Sequence, residues 1–446
     1  MEQNLTVNKV NKELYGEIST PYSFIKKMLE LLPAKVFRDE TLRWLDPGTG
    51  HGYFSKYLYH ILYRELKSKI PDDVEREKHI KEKMIYMCEI NEEHIGNISA
   101  FFGVNCNLIV GDYLSAVMPH SFDIILGNPP FYCNGKKKTP TDTERVKKTD
   151  GITIWSQFVK KGVQDLKKGG FLLMVTPSLW MKPDKEKTYE FMLQYKIHKL
   201  YPLTNTEMNT IFNKQAQTPS CYFLLQNIPA DPEPQIDIYD KGIATYVPFT
   251  ITDNAPLPLY AISLIQKLKP WVVKYGCLDV IKTNMPGKYA VLSKERTAKC
   301  PHVNIRTAIL KNAQPVLVTD YSSIELAYSR VPKLVLPHKM LGFPYLDAAG
   351  EYGISNRDNY IFLGKSLPEL ELIQHFLSTE EALYLFEATR YRMKYLEKYI
   401  FQLLPDVTKI PVIQCGGSIR DLIEITNAER IAIEGLYQKK YCFTYE

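Results

Sequence analysis

Four consecutive residues, Asn128-Pro129-Pro130-Phe131, form the most specific chemical pattern in the chain. An amine on an aromatic ring is a poor nucleophile, because its lone pair is delocalised into the ring. Two hydrogen-bond acceptors placed around that amine draw it towards a tetrahedral form and free the pair for attack. Asn128 supplies a side-chain carbonyl, and Pro129 a main-chain carbonyl on a residue with no N–H of its own. Pro130 stiffens the turn and so holds both acceptors in place. Phe131 offers a flat face to a planar ring, where base–aromatic stacking is worth about 1–3 kcal/mol. Taken alone, the same four residues also describe a proline turn over a buried phenylalanine.

What gives the turn a chemical context lies upstream. Asp46-Pro47-Gly48-Thr49-Gly50-His51-Gly52-Tyr53-Phe54 is a glycine-rich turn, and glycines let a backbone turn tightly and approach a ligand closely. Loops that cradle phosphate use backbone N–H groups, and a leading carboxylate repels an anion. Asp46 attracts instead the ammonium of an amino-acid-bearing cofactor, which favours S-adenosylmethionine over a dinucleotide. Further on, Glu89 can accept both hydroxyl hydrogens of a ribose, and Asp112, after Gly111, can accept from an adenine amine. Each acid singly also fits a helix N-cap or a turn. Three in order, each ending a predicted strand, fit the ligand-binding edge of an open α/β sheet. With a sulfonium methyl as electrophile the chemistry requires no general base, serine nucleophile or metal, and the product proton goes to water.

The elements that must position these residues follow from hydropathy. Short apolar runs alternate with amphipathic stretches through the first half, the pattern of a doubly wound, Rossmann-like sheet. Strands are predicted at 42–45, 84–88, 107–110, 122–126 and 171–176, with further strands at 199–202 and 221–226. Helices are predicted at 53–67 and 154–166, the second ended by Lys167-Lys168-Gly169-Gly170. The charged run 68–83 reads as a solvated insertion. A proline- and acid-rich stretch, 228–235, reads as a stiff linker or boundary. Beyond it the β/α alternation stops. Short strands and a long helix near 379–401 predict an α+β second domain, and Thr426 to Glu429 has capping-box spacing for a last helix. The expected division is 1–230 for catalysis and 231–446 for recognition of a target.

At 446 residues the chain exceeds one ordinary compact core, which supports that division. Its net charge of +6 suits a polyanionic partner. The eight cysteines are scattered, with no CxxC spacing and no histidines at metal-ligand intervals, so neither a disulfide framework nor a zinc site is expected. A polar N-terminus and the lack of a bilayer-length apolar run predict a soluble, intracellular protein with no membrane partner.

These motifs together resemble the gamma-ordered, TaqI-like N6-adenine DNA methyltransferases of restriction–modification systems. The resemblance spans almost the whole first half: Tyr15 to Pro21, with Thr20 helping to hold the cofactor's carboxylate; Asp46, Gly48, Gly50 and Phe54 in the glycine motif; Glu89 and Asp112 in the acidic motifs; and Asn128 to Phe131 in the catalytic motif. It implies a class I methyltransferase sheet followed by a C-terminal α+β recognition domain. It also implies S-adenosylmethionine as cofactor and a double-stranded DNA substrate whose adenine is flipped out between Phe131 and Phe212. A separate cognate restriction endonuclease is a further partner that the resemblance allows. Gly169 to Trp180 resembles the segment supporting the active-site wall, and Ile211 to Lys214 the motif bearing the second stacking aromatic. Lys136, Lys137 and Lys138 stand where they can hold phosphates near the flipped base. In the second half 333–337, 342–344, a helix bearing Arg390, Tyr391, Arg392 and Lys394, and 403–405 resemble recognition domains of the same enzymes. The rival expectations are an RNA or protein-glutamine methyltransferase on this fold, and a catalytically silent DNA-binding module.

Overall fold

The structure, a computed structural model, describes residues 7–135, 151–252, 255–340, 342–391 and 395–441. Two compact units divide the chain: residues 1–238 with 250–252, and residues 239–249 with 253–446.

The first unit is built on strands β1 (Trp44–Asp46), β2 (Ile85–Glu89), β3 (Asn107–Val110) and β4 (Phe122–Gly127). A short ribbon, β5 (Tyr132–Cys133) with β6 (Ile152–Thr153), follows; then come β7 (Leu166–Pro177), β8 (Tyr195–Leu203), β9 (Ser220–Pro229) and β10 (Gln235–Asp240), and then β11 (Thr245–Thr250), most of whose residues group with the second unit. The large sheet has the order β11-β10-β8-β9-β7-β4-β1-β2-β3. From β3 to β7 neighbours are parallel, and β9 runs antiparallel between β7 and β8. This is a Rossmann-like, mostly parallel α/β sheet in which β9 is reversed. Its central strands are apolar almost throughout because helices cover both faces: all five residues of β2 are buried, as are five of six in β4.

Helices α1 (Lys9–Tyr15) and α2 (Tyr22–Leu29) precede the sheet, and α3 (Tyr53–Glu65) follows β1. Along α3, Phe54, Leu58, Tyr59 and Leu62 recur at helical spacing and form its buried face. The run 68–83 is not simply a solvated insertion. It contains α4 (Asp73–His79) and a π-helical turn (Ile80–Met84), and Arg76 and Ile80 are buried. Arg76 can go inside because its guanidinium bonds the Ile70 and Pro71 carbonyls and stacks over the Tyr63 ring. α5 (Glu92–Phe102) and α6 (Trp155–Asp165) complete the crossovers. Residues 167–170 do not merely end α6 but already belong to β7. The stretch 228–235 is not a linker: it turns the chain from β9 into β10, which pairs parallel with β8.

The second unit is α+β. β12 (Ile281–Lys282), β16 (Lys333–Pro337), β17 (Tyr345–Asp347) and β19 (Asn359–Phe362) make one four-stranded sheet, β12-β19-β16-β17. β13 (Leu292–Ser293), β14 (His302–Lys311), β15 (Gln314–Ser322) and β18 (Gly353–Ile354) make another, β13-β15-β14-β18. Ile305, Val335, Ile354 and Ile361 form a shared core between strands of the two sheets. The long helix predicted near 379–401 is absent among the described residues. A short helix, Glu380–Leu385, gives way to 3-10 turns at Phe386–Thr389 and Lys398–Leu403. Apolar residues there are buried on all sides rather than on one stripe, and Tyr391 donates its buried hydroxyl to the Leu257 carbonyl. Packing has won over helix propensity. The last helix, Asn427–Tyr441, opens with the expected reciprocal box between Thr426 and Glu429.

Candidate active site

Four adjacent parallel strands, in the order β3-β2-β1-β4, end in the candidate residues. Asp46 is the last residue of β1 and Glu89 the last of β2. Asp112 stands two places after β3, and Asn128 directly follows β4. All four therefore lie along the carboxyl edge of the sheet, where helix N-termini also point.

The glycine turn is tied to this edge. Thr49 N–H bonds the Cys88 carbonyl at 3.1 Å, and Gly50 N–H bonds a Glu89 carboxylate oxygen at 2.5 Å. The other Glu89 oxygen accepts from Asn91 N–H at 2.8 Å, so one buried carboxylate spans the turn and the start of α5. Burial nevertheless raises the Glu89 pKa above the ordinary range, against the help of those two backbone donors. Gly50 and Gly52 adopt positive φ, 55° and 76°, which L side chains resist. A Cβ at Gly50 would meet only open space, and the same holds at Gly111 beyond β3. Gly48 lies against Pro130, where a Cβ would come to 3.7 Å from the proline ring.

Asp46 is buried, at 3% exposure. One carboxylate oxygen accepts from Ser55 Oγ at 3.0 Å, while Oδ1 has no hydrogen-bond partner. Burial pushes its pKa up to about 7, only partly offset by the Ser55 bond. A buried carboxylate oxygen left open in this way is costly unless a cation meets it. Ser19 Oγ, beside Thr20, is likewise buried without a partner. Asp112 is exposed, and its carboxylate accepts from Leu114 N–H at 3.0 Å. Phe54 faces inward on α3 at 5% exposure.

The Asn-Pro-Pro-Phe turn is held from three sides. Asn128 Nδ2 donates to Thr20 Oγ1 at 3.1 Å, which leaves the amide carbonyl as the free end of the side chain. Gly16, at φ 67°, packs so closely that a Cβ there would come within 2.0 Å of the Tyr132 carbonyl oxygen. Asn134 and Gly135 N–H bond the Leu14 and Glu13 carbonyls, and Ile154 N–H bonds the Phe131 carbonyl at 3.3 Å. Pro129 is buried, and Phe131 is half-buried.

Other predicted residues lie elsewhere. Phe212 is 3% exposed and packs edge-on against Phe24, 5.5 Å between ring centres, so it serves the core in this conformation and offers no face to a base. Lys136, Lys137 and Lys138 lie outside the described residues, as do Arg392 and Lys394. Arg390 is not helical, and its guanidinium is paired with Glu387. In the segment ending in Trp180, that ring is 1% exposed, packs against Phe223 and donates to Thr176 Oγ1 at 3.1 Å.

Sequence reading missed a cluster beside the glycine turn. Glu17, His51 and His94 bring donor atoms within 4.8 Å of one another, with Glu17 3.0 Å from His94 and 3.4 Å from His51. Burial works against a charged His94, but the Glu17 hydrogen bond and charge outweigh it and raise its pKa. Burial and the neighbouring His94 lower that of His51. Separation of these residues along the chain hid the cluster; only the strand-end placement of the turn brings them together.

Residues 58–209 match the family of Eco57I restriction-modification methylases. That stretch includes Glu89, Asp112 and Asn128 to Phe131. Solved structures similar to this chain include a modification subunit of a putative type I restriction enzyme from Vibrio vulnificus, with 16% identity and a TM-score of 0.37 over 51% of this chain and 49% of that one. The M protein of the type I restriction enzyme EcoKI is similar at 15% identity and a TM-score of 0.36, over 50% of this chain and 48% of that one. MmeI, a type IIL restriction-modification enzyme solved with DNA, is similar at 12% identity and a TM-score of 0.44, over 99% of this chain and 78% of that one. The chain thus matches about half the length of the first two. No curated protein matches it. Within the first unit, residues 58–209 thus match a restriction-modification methylase family and fold into part of a Rossmann-like α/β sheet. No helix among the described residues is long and apolar enough to cross a membrane.

Proposed function

We infer that this protein transfers the methyl group of S-adenosylmethionine to the exocyclic N6 amine of an adenine in double-stranded DNA. The observation that carries this reading is the orientation of Asn128. One amide N–H of Asn128 is held by Thr20, which turns the amide nitrogen towards that residue and leaves the carbonyl to accept from a substrate amine. The buried Pro129 supplies the second acceptor, and the half-buried Phe131 a stacking face for the base.

The residues fit the cofactor. The open Asp46 Oδ1 suits its ammonium, Glu89 keeps lone pairs for ribose hydroxyls, and the space before Gly50 and Gly111 leaves room for it. Exposed Asp112 suits the adenine amine. When bound, S-adenosylmethionine supplies an electrophilic methyl on a positive sulfonium. Asn128 and Pro129 orient the target amine and localise its lone pair; the proton released from it passes to water. An adenine inside a duplex is out of reach of such a turn, so the base must leave the stack. The second unit is assigned the recognition of the target, with duplex DNA as partner and a cognate endonuclease as a second one.

Asn128→Ala is expected to lower transfer of labelled methyl to duplex DNA by at least ~10²–10³-fold, the usual cost of losing one such polar group. Cofactor affinity by calorimetry is expected to stay within about threefold. Full methylation by this variant refutes the reading. Parallel assays on RNA and protein decide against the planar-amine alternatives if DNA alone is labelled.

A further inference from the structure

Between residues 281 and 299 the second unit carries five cations, Lys282, Lys288, Lys294, Arg296 and Lys299, and a single acid, Glu295. That is a net +4 in a chain whose total is +6. All five cations are exposed. None has an ion pair, hydrogen bond or ring contact among the described residues. Elsewhere on the surface Arg38 sits beside Glu65 and Lys196 beside Asp231. Five unneutralised cations in one short stretch repel each other and cost stability, so the arrangement calls for an external anion.

The backbone of the segment is fixed even though its side chains are free. At one end Thr283 is 1% exposed, and its hydroxyl donates to the Asn356 and Asn359 carbonyls at 2.6 and 3.1 Å. In the middle Val291 exchanges bonds with Ser323, and Leu292–Ser293 pairs with Ser322 and Tyr321 of β15. At the far end Cys300 is buried, and its thiol donates to the Val291 carbonyl. Between these anchors the cations project outward, and Tyr289, 78% exposed, stands among them. A surface ordered before binding loses little backbone entropy when it meets its partner. Lys and Arg on such a strip, with a phenol hydroxyl between them, are the donors that duplex phosphates take.

We propose that the strip from Lys282 to Lys299 is the phosphate-contacting arm of the second unit and grips the backbone of double-stranded DNA. The proposal rests on the DNA-methyltransferase reading above and adds to it the element that holds the duplex. It places the grip on an anchored strip rather than on the basic residues near 390, where Arg390 is already neutralised by Glu387. Contacts of this kind carry affinity without choosing a sequence.

The test compares the full-length protein with a variant carrying Lys288→Ala, Lys294→Ala, Arg296→Ala and Lys299→Ala. Duplex affinity at about 0.1 M salt is expected to fall by ~10²-fold or more, and the slope of log affinity against log salt to become shallower by about 3–4, close to one unit per lost phosphate contact. Far-UV circular dichroism and thermal melting of the whole chain, expected to be unchanged, show that both units of the variant are folded. A Lys→Arg set at 288, 294 and 299 is expected to keep the wild-type slope. Unchanged duplex affinity and slope in the Ala variant overturn the proposal while leaving the enzymatic reading intact. A wild-type protein that binds and methylates no DNA overturns that reading instead. Tighter wild-type binding to single-stranded RNA of equal length, lost in the same variant, overturns duplex DNA as the partner of the arm.

Discussion

Asp46 combines burial, one bonded oxygen and one open oxygen at the end of β1. With a folded pKa of about 7, against 3.8 for a free carboxyl, it binds its proton more tightly folded than unfolded. The cofactor-free protein therefore loses stability as pH rises from near 3.8 through about 7. Pairing with an ammonium requires the ionised form, so S-adenosylmethionine affinity is expected to strengthen as pH rises towards 7 and to weaken again above about 8, where the cofactor's α-amino group loses its proton. Asp46→Asn is expected to flatten that profile and weaken binding by ~10–100-fold, the scale of a charged hydrogen bond. Calorimetry between about pH 5.5 and 8.5 reads both effects, and a flat wild-type profile contradicts the assigned role. At this scale much was legible in advance. Asp46, Glu89 and Asn128 were identified by residue type and position after apolar runs. Phe212 was not, because an aromatic beside polar neighbours reads alike whether it faces a ligand or, as here, Phe24.

Elements deliver these side chains, and the most consequential one precedes the sheet. The turn at Gly16 presses on the Tyr132 carbonyl, while Thr20, four residues on, bonds Asn128. Gly16→Ala places a Cβ where that carbonyl stands and also forces an L residue to φ 67°. The Asn-Pro-Pro-Phe turn must then shift by about an ångström, a displacement that costs ~10²-fold in rate on the proposed function. Steady-state assays on DNA are expected to show that loss in kcat, with cofactor affinity changed by less than about fivefold. Wild-type kcat in this variant removes the buttressing role. The core strands and α3 and α6 could be read from hydropathy because both faces of a parallel sheet exclude water. The helix expected near 379–401 could not, since residues such as Leu385, Phe386, Ile400 and Phe401 are buried by contacts distant in sequence.

For the whole molecule, charge separates the two binding events. On the proposed reading a small cofactor meets the buried Asp46 carboxylate, whereas a duplex meets the exposed cations of 282–299. Raising salt from about 50 to 200 mM is expected to weaken duplex binding by roughly 10²–10³-fold. Cofactor affinity is expected to change by less than about threefold, because a buried pair is little screened. Fluorescence anisotropy on labelled duplex and calorimetry on the cofactor measure the two. Equal salt sensitivity rules out this division. The amino-acid sequence by itself determined the α/β class, the strand-end acids and the Asn-Pro-Pro-Phe turn, since hydropathy period and residue chemistry are local properties. Only the tertiary structure decided which end of Asn128 is free, that Gly16 braces the turn, and that Glu17, His51 and His94 meet. It also decided that the five cations of 282–299 are exposed without an ion pair among the described residues, while Arg390 pairs with Glu387. Each of those facts depends on which distant residues a side chain touches, and that is settled only when the chain closes on itself.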